Sequence, residues 1–79
     1  MVRYFLHIRD GEKLEKDAEG SEFASLDLAI EEARIAAREI MAERVRAGYE
    51  PDGHSFEITT GEGQIAATVP FRSALKPLA

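Results

Sequence analysis

The sequence predicts a small α+β domain of ββαββ order: a four-stranded, largely antiparallel sheet with one long helix packed on one face. Three observations predict it. Ser25 to Gly48 is the only stretch with sustained helical periodicity, the segments on either side alternate apolar and polar residues, and each of those segments is broken by a glycine-containing turn. Two hairpins bracketing a helix most simply form one sheet with the helix across it. The order of the hairpins within that sheet is not fixed by the sequence. The 79 residues are read as a single domain, 1–79, with 73–79 as a loose tail.

Val2 to Ile8 (VRYFLHI) is rich in β-branched and aromatic residues and reads as the first strand. Tyr4, Leu6 and Ile8 share one face, and Arg3, Phe5, His7 and Arg9 the other. The turn falls at Arg9-Asp10-Gly11, and Glu12 to Asp17 follows as the second strand. A two-residue Asp-Gly loop would pair Leu6 with Glu15 and place Leu14 among the charges. A three-residue loop with Gly11 as a left-handed bulge pairs Leu6 with Leu14 and Arg3 with Asp17, and the buried face favours this register. A second turn, Asp17 to Gly20, leads to Phe23, which is expected to close the core beside the helix.

In the helix, Leu26, Ala29, Ile30, Ala33, Ala36, Ala37, Ile40 and Met41 fall on one face at about 100° per residue. Ser25 is the expected N-cap, with Asp27 favoured by the dipole in the first turn. Arg44 and Arg46 suit the negative pole, and Gly48 can take the left-handed conformation that ends the helix. The alanines imply a close approach to the sheet. Arg44 points toward the apolar face, where its stem can pack while the guanidinium reaches the last carbonyls or stacks on Tyr49.

Tyr49 to Gly53 reads as a turn through Pro51, and His54 to Thr60 as the third strand with Phe56 and Ile58 inward. A Gly61-Glu62 turn with positive φ at Gly61, or a four-residue loop Thr60 to Gly63, pairs Ile58 with Ile65 and Phe56 with Ala67. The last strand, Gln64 to Phe71, then has Ile65, Ala67, Val69 and Phe71 inward, and Pro70 marks an edge or a strand end.

Composition bounds the function. The net charge of −5 argues against a phosphate-backbone binder, and the sheet-face cations Arg3, His7, Arg9 and Lys13 share their side with Glu15, Asp17 and Glu57. With 0 cysteines there is neither a disulfide framework nor a thiolate metal site. No apolar run is long enough to span a membrane, and the amino-terminal stretch lacks a signal-peptide core, so a cytoplasmic protein is expected.

Arg3-Tyr4-Phe5-x-His7-Ile8-Arg9-Asp10-Gly11, Asp17-x-Glu19-Gly20-x-Glu22, the Ala/Glu/Arg-rich helix and the closing Val69-Pro70-Phe71-Arg72 resemble a family of very small, uncharacterised proteins of rhizobia and related alphaproteobacteria, grouped as a domain of unknown function. This resemblance spans nearly the whole chain and implies a bacterial, cytoplasmic setting and the ββαββ order, without an activity. One departure is Phe23-Ala24-Ser25-Leu26, where members often carry Leu-Pro-Asp-Leu. A looser resemblance, in layout alone, is to antitoxins of the HicB type; it implies a regulator that masks a partner protein or nucleic acid. Their Pro-Gly-Cys segment is missing.

Chemistry has little to stand on. His7 and His54 lie far apart in sequence, no serine sits in a nucleophile-elbow context, and Gly61-Glu62-Gly63 leads into a strand rather than the helix terminus that binds phosphate. Asp17, Glu19 and Glu22 fall short of a calcium loop, and strand alternation sets His54 and Glu57, the natural companions of Asp52, on opposite faces. No catalytic residue, metal or cofactor is expected, and the chain is read as a non-enzyme. Association is the sharper signal. Phe5, His7 and Arg9 offer a surface on the open side of the sheet, or else an ordinary exposed strand with Arg3 paired to Asp17 and Phe5 over the Lys13 and Glu15 stems. Leu28, Ile35 and Ala42 recur at seven-residue spacing on the outer helix face, bordered by Glu31, Glu32, Arg38, Glu39 and Arg46. Leu26 to Ala47 also spans roughly 33 Å against roughly 23 Å for seven-residue strands, so the helix should overhang the sheet or cross it diagonally. The expected partner is a second copy of the chain, as a homodimer, or another protein.

Overall fold

The computed structural model describes residues 1–50 and 53–76. The strands are β1 (Val2–Asp10), β2 (Lys13–Glu15), β3 (Ser21–Phe23), β4 (Ser55–Thr59) and β5 (Ile65–Pro70); the helix, α1, is Leu26–Arg46, and a 3₁₀ turn, Phe71–Ala74, closes the described chain. The sheet runs β2-β1-β4-β5, with β3 also paired to β1 and every pairing antiparallel. The two hairpins therefore meet through β1 and β4, which settles the order left open by the sequence. The fold class is the predicted one, an antiparallel sheet with one long helix.

The second strand expected over Glu12 to Asp17 is shortened to β2, and an unexpected strand, β3, forms in the stretch that leads to the helix. β2 pairs with the end of β1 and β3 with its beginning, and the loop 16–20 lies between them. Backbone groups of successive strand residues point to opposite edges. Odd-numbered β1 residues serve β4, while even-numbered ones serve β3 at Val2 and Tyr4 and β2 at Ile8 and Asp10. Leu6 falls in the gap, and its N–H donates instead to the Asp17 carboxylate at 3.1 Å. That side chain takes the place of a ladder partner.

Both hairpin registers differ from expectation. The first pairs Arg9 with Leu14 and Asp10 with Lys13 across a two-residue loop, Gly11-Glu12. Gly11 has φ +60° and no described non-glycine residue has positive φ, the pattern of a II′ turn with glycine first. Leu14 consequently lies on the open face with Arg9, and Leu6 has no Leu14 opposite it. In the second hairpin the positive φ falls at Gly63 (+87°), not Gly61; Gly63 N–H donates to Thr60 O, and Thr60 N–H to Gln64 O. Ile58 pairs with Ala67 and Phe56 with Val69, whereas Thr59 pairs with Ile65. Ala66 is thus the extra residue of a β-bulge, which turns Ile65 away from the helix side and leaves it exposed. β5 is an edge strand ending at Pro70, where the missing N–H costs no ladder bond.

α1 begins as predicted, with the Leu28 N–H donating to Ser25 Oγ at 3.2 Å. It ends with Gly48 at φ +93°, Tyr49 N–H bonded to Arg44 O and Gly48 N–H to Val45 O, which satisfies the carbonyls of the last turn. Ala29, Ala33 and Ala37 are fully buried at four-residue spacing and continue into Met41. Methyl groups in that row let the helix lie close over Phe56, Ile58, Val69 and Phe71, so a larger residue at Ala33 would overpack by about 1–3 kcal/mol. Tyr4, Leu6, Ile8 and Phe23 pack at the margin of this core. Nine-residue β1 is nearly as long as the helix, so overhang arises only relative to the shorter β4 and β5. There the 3₁₀ turn lies along the helix: Arg34 and Arg38 donate to Ser73 O and Ala74 O, and Phe71 and Ala74 are buried. Pro51, Asp52 and the last three residues of the expected tail lie outside the described residues.

Candidate functional site

The predicted interaction residues lie on two opposed surfaces. Phe5, His7 and Arg9 share the sheet face away from the helix, as strand alternation requires, and each is half-buried and held by a neighbour. Arg9 Nε donates to Glu57 Oε2 at 2.8 Å, and Nη2 reaches Oε1 at 3.4 Å. The Glu57 side chain is only 14% exposed, and the arginine's hydrogen bond and charge hold its carboxyl below the ordinary carboxylate range. His7 stacks against Phe5, ring centres 6.1 Å apart, and its Nδ1 accepts the Asp17 N–H at 3.0 Å. In the neutral ring the proton therefore sits on Nε2.

The 16–20 loop that carries Asp17 closes over this edge. Asp17 Oδ1 accepts from the Gly20 N–H and Oδ2 from the Leu6 N–H, so the expected Arg3–Asp17 pairing does not form. Arg3 donates instead to Glu19 O at 2.8 Å. Phe5 does not lie over the Lys13 and Glu15 stems but against Gly20, which has φ +68°. A Cβ there would stand 2.8 Å from Tyr4 O and 2.9 Å from the Phe5 ring. A shallow cleft of ≈ 350 Å³ remains beside Phe5 and His7, walled by Lys16, Asp17, Thr59 and Thr60.

Leu28, Ile35 and Ala42 lie on the outer side of α1 and are all exposed, Leu28 at 53% and Ile35 at 41%. Val45 joins them at 56%. Beside the end of this row runs an apolar groove of ≈ 440 Å³, formed by Met41, Ala42, Val45 and Leu75 and rimmed by Arg38 and Arg46. The part played by Leu75 was not legible in the sequence, because only the 3₁₀ turn brings it alongside the helix.

A third cluster went unpredicted. His54 is buried on the helix side, stacked on Phe71 at 5.7 Å, with Nε2 3.3 Å from Asp10 Oδ2. It shares a cavity of ≈ 170 Å³ with Asp10, Lys13, Glu15 and Arg44. Arg44 thus faces acidic groups on β1 and β2, while Tyr49 is 69% exposed. The revised first register explains the cluster, since it turns Lys13 and Glu15 to the helix side. Glu57 lies on the opposite face from His54, as alternation predicts, and Asp52 is outside the described residues. Among the described residues, no three acidic, histidine or cysteine side chains converge to hold a metal ion. Nor is any described helix long and apolar enough to cross a membrane.

Fold and surfaces together define a small α+β domain with one helix face toward its own sheet and, among the described residues, an exposed aliphatic row on the other. The chain belongs to the family described as Domain of unknown function (DUF6894), matched over residues 3–72, a span that takes in both predicted surfaces. No curated protein and no solved structure matches it.

Proposed function

We propose that the protein is a non-catalytic interaction module of the cytoplasm that associates with a second copy of itself through the outer face of α1. The observation that carries this reading is the exposed row Leu28, Ile35 and Ala42 on a helix whose inner face is already satisfied. A domain of this size has little core to spare, and a row of aliphatics bordered by charges of both signs suits helix pairing. The cysteine-free composition agrees with a reducing compartment. Sedimentation velocity across a concentration series tests the reading. The wild type is expected to pass from 8.7 kDa toward twice that mass, and Ile35→Glu to remain monomeric and folded. A wild type that stays monomeric at high micromolar concentration would refute it.

A further inference from the structure

We infer that His7 is a pH-sensitive latch: its protonation releases Asp17 and opens the near end of the 16–20 loop, which walls the cleft on the open sheet face. The latch is a single contact between distant parts of the chain. His7 Nδ1 accepts the Asp17 backbone N–H at 3.0 Å. Only a ring without a proton on Nδ1 can do so, whereas an imidazolium carries a proton on both nitrogens. A charged ring therefore turns this acceptor into a donor and sets two N–H groups against each other. Histidine is the side chain whose charge ordinarily changes between about pH 5 and 8.

The Asp17 side chain depends on the same hold. Its Oδ1 accepts from the Gly20 N–H and its Oδ2 from the Leu6 N–H, in the gap between β2 and β3 on the edge of β1. Release of Asp17 therefore uncovers the Leu6 N–H. Lys16, Asp17 and Ala18 also wall the ≈ 350 Å³ cleft beside Phe5 and His7, so their departure widens it. The far end of the loop has anchors that do not titrate near neutrality: Arg3 donates to Glu19 O, and Gly20 lies against the Phe5 ring. The charged groups around the imidazole oppose one another. Glu57 stands opposite on β4, paired with Arg9 on β1, and the loop brings Lys16 and Asp17. The β4–β5 turn meets the cleft through Thr60, Gly61 and Gly63, and its Glu62 is not part of the wall. Nδ1 itself faces the Asp17 N–H and not a carboxylate, so no neighbour stands ready to take a second ring proton.

Amide hydrogen exchange, corrected for its intrinsic pH dependence, and the ring signals of both histidines test the latch between about pH 8 and pH 5. The protection of the Asp17 amide is expected to fall at least about fivefold, the cost of an acceptor lost to a buried donor. Leu6 and Gly20 should follow, while Ala33 and Ala37 in α1 stay constant. The midpoint of the fall should coincide with the titration of the His7 ring and not with that of His54. In His7→Asn the carboxamide oxygen replaces Nδ1 without titrating, so protection should persist at the acid end; in His7→Leu it should be low at both ends. Unchanged Asp17 protection while the His7 ring titrates would overturn the latch, as would a ring that stays neutral throughout. A fall shared by Ala33 and Ala37, or an equal fall in His7→Asn, would overturn it too. If the asparagine does not hold Asp17 even at the basic end, the wild-type midpoints decide, and coincidence with His54 alone counts against the latch.

Discussion

The outer face of the helix and the open face of the sheet both carry apolar and charged side chains, yet they differ in what those side chains already hold. On the sheet, Phe5 rests on Gly20, His7 accepts from the Asp17 backbone, and Arg9 grips Glu57. On the helix, Leu28, Ile35, Ala42 and Val45 are exposed. The same kinds of residue thus do different work. The sheet face fastens a loop and a strand edge into the fold, whereas the helix face leaves its apolar side chains exposed. Residue type alone does not separate the two; internal partners do.

Substitutions on the sheet side should therefore cost stability, and those on the helix side should leave it unchanged. The largest effect is expected at Gly20. Gly20→Ala puts a side chain at positive φ and against the Tyr4 carbonyl, which should destabilise by about 2–4 kcal/mol in thermal denaturation. Gly61→Ala, where an added Cβ meets nothing, is the control and should change stability little. Asp17→Ala comes next, at about 2–3 kcal/mol in denaturant unfolding, because it strips the Leu6 and Gly20 N–H groups of their acceptor.

A smaller effect should appear with pH. Glu57 has a folded pKa below its unfolded value, so its contribution is present above the unfolded pKa and is lost as pH falls through the folded one. Denaturation midpoints should fall on acidification below about pH 4.3, the ordinary glutamate value, and Arg9→Met should flatten that part of the profile. The least change in fold is expected from Glu39→Lys, within about 0.5 kcal/mol. An unchanged denaturation midpoint for that variant is the outcome expected of a side chain on the exposed face.

The helix was legible because its signals are local: the Ser25 cap, the periodic apolar face and the terminal Gly48 act within one element. The hairpins were less so. Sequence reasoning gave the left-handed bulge to Gly11 and the positive-φ tight turn to Gly61; the fold places a II′ turn at Gly11 and the left-handed residue at Gly63. Facing Leu14 with Leu6 fails because β2 is three residues long and its register is set by the turn rather than by burial. Ile65 is misplaced by a single bulged residue, since one extra position inverts every facing before it. The exposure of Leu28, Ile35 and Ala42 follows from the same periodicity that buries Ala29, Ala33 and Ala37. The Asp17 connections and the Asp10–His54–Arg44 cluster depend on contacts between separate elements, and no local pattern announces them.

Methyl and ring NMR signals followed through a dilution series test the contrast between the two faces most directly. The account predicts concentration-dependent shifts for the methyl groups of Leu28, Ile35, Ala42 and Val45, with the rings of Phe5 and His7 and the Arg9 Nε–H unmoved. Shifts confined to Phe5, His7 and Arg9, or no shift anywhere up to high micromolar concentration, would contradict it.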